Sequence, residues 1–164
     1  MKKWLLIWMG LHLPCLTLAN PLDVIKPLLP DLPGWQAQTV SGANSSHRDI
    51  HMITASRRYT RQTQILDAVI FVTSQASETG WLDSDLQFDS AGSSIKTETV
   101  DGFQVFRVHR KYKNEILLIV VIRRENQEGV FLSLTFKNMP LEEAMNTARL
   151  FDWHHIEFMV SSIN

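Results

Sequence analysis

Seven consecutive apolar residues, Ile116 to Ile122 (ILLIVVI), constrain this chain more than any other stretch. The tract is rich in β-branched side chains and far too short for the roughly 20 residues of a membrane-spanning helix. A strand of this composition belongs in the middle of a sheet, covered on both faces by a helix or by an N-terminal arm. Its neighbours supply that sheet. IKTETV and FQVFRVHR flank Asp101-Gly102, a pair that accepts the positive φ of a two-residue hairpin turn. A second turn at Lys113-Asn114 leads into the apolar tract. VFLSLTFK follows, with Val130, Leu132, Leu134 and Phe136 on one face and Ser133 and Thr135 on the other.

Upstream, DIHMITASRRYTR and ILDAVIFVTS read as an antiparallel pair joined through Thr60 to Gln64. Trp35 opens a first strand over 36–41, SGANSSH at 41–47 has the composition of a loop, and 75–94 reads as a long loop with a helical turn. Pro27 and Pro30 hold residues 21–29 to a short helix or arm. Pro140 starts a helix with Glu142 and Glu143 at its positive end, and Leu141, Ala144, Met145, Ala148 and Phe151 form its apolar stripe. Asp152 closes that helix, and WHHIEFMV reads as a terminal strand. The pattern predicts an α+β fold: a curved antiparallel β-meander packed against a C-terminal helix, with a short N-terminal helix or arm.

The first residues, MKKWLLIWMGLHLPCLTLAN, predict the compartment. Lys2 and Lys3 precede a short apolar run, and Thr17 and Ala19 offer small residues for cleavage before Asn20. Residues 1–19 are therefore expected to be a cleaved signal peptide and 20–164 a single domain, exported to the periplasm or secreted, with no stable membrane insertion after cleavage. Cleavage also removes Cys15, the one cysteine, so a mature disulfide or thiolate is excluded. Lys plus Arg falls from 16 to 14 against 17 Asp plus Glu, a mildly acidic balance that argues against nucleic acid as a partner.

Chemistry-bearing residues are scattered. Arg107, His109 and Lys111 alternate along one strand, and Arg57, Tyr59 and Arg61 along another. If the stripes adjoin, the four cations and His109 form a partner-binding surface for an envelope protein with an acidic face. Trp81, Phe88 and Trp153 would instead wall a small-molecule pocket, with Arg107 as polar anchor. His155 and Glu157 would share a face of a terminal strand, where a third ligand from His47, His51 or His109 would make a metal or proton-transfer site. No serine sits in G-x-S-x-G, no G-x-G-x-x-G follows a strand, and Asp83, Asp85 and Asp89 lack the glycine and glutamate of a calcium loop. The sequence thus predicts a non-enzymatic binding or accessory protein without a cofactor. A small-molecule module is the alternative, and a small hydrolase or metal-dependent enzyme comes behind it.

Overall fold

The computed structural model describes residues 20–48, 50–74, 85–125 and 128–161. Nine antiparallel strands form one sheet: β1 Gln36–Ala37, β2 Ser41–His47, β3 Ile50–Arg61, β4 Gln64–Thr73, β5 Gln87–Asp89, β6 Ser93–Val100, β7 Phe103–Arg110, β8 Glu115–Glu125 and β9 Glu128–Lys137. Three short helices accompany them: α1 Pro21–Ile25, α2 Leu141–Ala148 and α3 Trp153–Val160. The fold is thus mainly β within a broad α+β class. No helix among the described residues is long and apolar enough to cross a membrane.

The strand order is β1-β3-β4-β9-β8-β7-β6-β5, with β2 also paired to β3. Strands β5 to β9 run as a meander, but the chain does not meander throughout. β4 lies beside β9, so the segment after β4 carries the chain to the far edge, where β5 starts. The apolar tract is central, as expected: β8 sits between β7 and β9.

Alternation along the strands separates the two faces. Ile116, Leu118 and Val120 of β8, Leu132, Leu134 and Phe136 of β9, and Leu66, Ala68 and Ile70 of β4 are fully buried. They pack in one core with Ile25, Leu28 and Leu29 of the N-terminal arm, Ala144 and Ala148 of α2, and Trp153, Ile156 and Val160 of α3. Covered two-sided burial of β8 was expected, and half of it is found. Leu117, Ile119 and Val121 point to the other face and are only half-buried. Ile119 and Val121 belong to a separate apolar layer that no helical side chain among the described residues joins.

Two expected elements change type. SGANSSH is strand β2, because its backbone groups find partners on β3, from Ser41 opposite Ser56 to His47 opposite Ile50, across a turn with Arg48 at φ 53°. Its small polar side chains are consistent with an exposed edge. WHHIEFMV is helix α3 rather than a strand. The Asp152 carboxylate accepts from the His155 N–H at 2.9 Å, so it opens this helix instead of closing the previous one. Burial of Trp153, Ile156 and Val160 at helical spacing then rewards the helix. The expected first strand is only Gln36–Ala37, and 85–94 of the expected long loop contributes β5 and the start of β6, while 75–84, where the rest of that loop and its helical turn were expected, lie outside the described residues. Residues 1–19, the expected signal peptide, together with Trp81 and Asp83, lie outside the described residues.

Candidate functional site

The two basic stripes do not adjoin. β3 and β7 are separated by β4, β9 and β8, four inter-strand steps or about 19 Å. Each stripe is also consumed locally. On β3, Arg57 donates from Nη1 to the Leu29 carbonyl and from Nε to the Gln38 carbonyl, both at 2.8 Å, and pairs with Asp31. Tyr59 on the same face is fully buried and donates to the Pro30 carbonyl at 2.9 Å. That face clamps the N-terminal arm and is not a solvent face. Burial pushes the Tyr59 phenol up to about 12, against the opposing charge of Arg57. Arg61 stacks over Trp35 at 4.5 Å, and it pairs with Glu143 of α2 and bonds Gln64 at 3.0 Å.

On β7, Arg107 is paired with Leu118 in register, so it lies on the helix-bearing face beyond the helices rather than on an opposite surface. Its side chain is 15% exposed, and Nε lies 3.4 Å from Glu98 Oε1, close enough for an ion pair but not aligned as a hydrogen bond. Lys96 Nζ holds the other Glu98 oxygen at 2.7 Å. His109 shares Arg107's face, opposite Ile116. Lys111 leaves the strand for the 3₁₀ turn Lys111–Lys113, where it bonds the Asp89 carboxylate at 2.6 Å and the Ser90 carbonyl at 2.7 Å. That hydrogen bond and the lysine charge hold the Asp89 carboxyl below its ordinary range. These cations knit strands and turns together.

The aromatic trio fares similarly. Phe88 stands opposite Ile95 of β6, and Ile95 opposite Val108, on the face away from the helices. Trp153 is on the helix side, edge-on to Phe103 at 5.8 Å, with its indole N–H donating to the Ala148 carbonyl at 2.9 Å. Phe88 and Trp153 therefore cannot wall one pocket. Trp153 does border a cleft of about 480 Å³ with Asp101, Phe103, Arg149, Asp152 and His154. Within it, His154 packs on Phe103 at 4.8 Å, and Arg149 holds Asp101 at 2.9 Å.

The expected pairing of His155 with Glu157 is not formed. Helix α3 turns His155 away from Glu157, and His154 approaches that carboxylate instead, at 3.8 Å and exposed to solvent. Among the described residues, no three His, Cys, Asp or Glu side chains gather to hold a metal.

The open face is what the sequence reading missed. In register across it run Phe88, Ile95, Val108 and Leu117; then Thr97, Phe106, Ile119, Ser133 and Val69; then Val121, Phe131 and Phe71. Phe71 and Phe131 stack with centroids 5.0 Å apart. Phe88 is 54% exposed at one end, and Met52 is 36% exposed toward the other. The legible signal was the apolar set on the second face of three strands: Val69 and Phe71, then Leu117, Ile119 and Val121, and Phe131. An antiparallel sheet with one solvated face alternates more cleanly than this.

The chain matches no family model, no curated protein and no solved structure in comparisons with each.

Proposed function

We propose that this is an exported, non-enzymatic accessory protein that holds a protein partner against the sheet face opposite its described helices. The observation that carries the reading is the apolar layer that runs from exposed Phe88 through half-buried Val108 and Ile119 to half-buried Phe71, with Phe106 and Phe131 buried at its middle, on a face that no described helix covers. Apolar side chains left half-exposed in one contiguous layer gain further burial when a partner excludes water from them. Its breadth, across successive strands of an open sheet, suits a protein surface better than a small molecule, which favours concave sites. The basic residues first considered for an acidic partner are engaged in local ion pairs, so apolar contact, not charge, supplies the affinity.

Capture from envelope extract tests this with three proteins: wild type, Phe88→Asp with Val108→Ser, and Arg107→Glu with Lys111→Glu. The expected result is one specific partner, retained at high salt by wild type and lost by the Phe88/Val108 variant. Its equal recovery by that variant, together with loss from the Arg107/Lys111 variant, would return the site to the basic stripe. A second reading rests on the cleft beside Trp153, where two aromatic residues, a histidine and charges of both signs meet. Native mass spectrometry showing a co-purifying small molecule that Trp153→Leu loses would favour it.

A further inference from the structure

Strand β2 ends the sheet with an edge whose own residues carry none of the usual protection, although Leu22 and Lys26 of the N-terminal arm lie over the helix-bearing face of the strand at Gly42. Natural edge strands are commonly shortened, bulged or studded with Lys, Glu or Pro, which discourage strand addition. The other edge follows that rule, since β5 has only three residues. β2 runs for seven, Ser41 to His47, without a charge, a proline or a register shift, and every one of its residues is exposed.

The hydrogen-bonding direction along this edge follows from its neighbours. The carbonyl of His51 accepts from Ser74 after β4, so odd-numbered residues of β3 here face β4, while the Arg58 carbonyl accepts from Gln38 on the opposite side. Even-numbered residues of β3 therefore bond to β2, and their register partners are Ser41, Ala43, Ser45 and His47. Gly42, Asn44 and Ser46 then aim both N–H and C=O outward, away from β3. No other described strand pairs with them.

We infer that β2 is a self-association edge, pairing antiparallel with β2 of a second copy about a two-fold axis at Asn44. In that register Gly42 meets Ser46 of the second copy, Asn44 meets Asn44, and Ser46 meets Gly42. Every outward residue falls in a hydrogen-bonded pair, giving about six backbone hydrogen bonds. The intervening pairs are Ala43 with Ser45 and Ser41 with His47. None clashes in size, and none sets like charges together. A foreign strand would need side-chain pockets to be selected, whereas the short side chains of β2 suit a partner recognised by its backbone and by its own matching sequence. A two-fold perpendicular to the sheet also brings the two faces opposite the described helices to the same side, setting their apolar layers next to each other. The edge does not depend on the partner-holding reading, because its residues lie outside those layers.

The test uses charge at the axis. Asn44 is exposed, so at about 1 μM, where the chains are monomeric, Asn44→Asp and Asn44→Lys should leave the unfolding midpoint unchanged. In a two-fold dimer, however, each variant sets two like charges directly opposite each other. Protein purified after expression of the full chain is followed by sedimentation velocity from about 1 μM to about 1 mM. Wild type should dimerise with rising concentration. Each variant alone should associate at least about tenfold more weakly, and an equimolar mixture of the two should recover the dimer. A wild type that stays monomeric throughout, single variants that dimerise like wild type, or a mixture no tighter than its components would each overturn the inference.

Discussion

Arg57 and Arg58 are chain neighbours with the same charge and opposite surroundings. Arg58 reaches across the open face to Asp67 at 2.6 Å, half exposed, where water screens the pair and its removal should barely move stability. Arg57 points into the helix-bearing side and donates to the carbonyls of Leu29 and Gln38. Arg57→Ala leaves both acceptors without their donor and loosens the arm, at an expected cost of about 2–3 kcal/mol. Urea unfolding of the two alanine variants side by side checks the contrast. Tyr59 beneath the same arm makes a pH prediction. Its phenol titrates near 12 in the fold and near 10 in the unfolded chain. The fold thus favours the neutral form. That contribution is fully present below about pH 10 and is lost as pH rises toward 12. Tyr59→Phe should remove this alkaline slope while losing the bond to Pro30, so the two proteins' unfolding midpoints should converge between pH 10 and 12.

At the scale of the element, β8 shows how one strand serves two faces. Val120 is fully buried between Val105 and Leu132, under the helices. Val120→Asp places a carboxylate there without a partner, and the expected loss is about 4 kcal/mol or more. Ile119, one residue earlier, faces the half-buried layer, and Ile119→Thr should cost only about 1 kcal/mol because water already reaches its side chain. Denaturant unfolding of both variants tests the parity; equal losses would mean that both faces are covered alike. The hairpin at Asp101-Gly102 was legible because the turn chemistry is local, and both residues have positive φ, 52° and 88°. Helix α3 was not. WHHIEFMV suits a strand by local pattern, and only docking of Trp153, Ile156 and Val160 onto the sheet, with Asp152 as cap, decides for a helix.

For the whole molecule, residues 1–19, expected to be a signal peptide, make their own prediction. If the chain is exported, residues 1–19 should be absent from protein recovered from the envelope, and intact-mass measurement should find a chain beginning at Asn20; an uncleaved, membrane-extracted species would refute export. The sequence by itself determined the strands with strong alternation, the local turns, the central place of Ile116 to Ile122 and the helix after Pro140. Those depend on backbone propensity and on neighbours a few residues away. Tertiary structure alone decided that β4 lies beside β9, which holds the two basic stripes about 19 Å apart. It also decided that Arg57 clamps an arm, that Phe88 and Trp153 face opposite ways, and that SGANSSH is an edge strand. Each of these depends on which distant segment supplies a hydrogen-bond partner or covers a face. Residue spacing along one strand says which side chains share a face, but only strand order says what stands across from them.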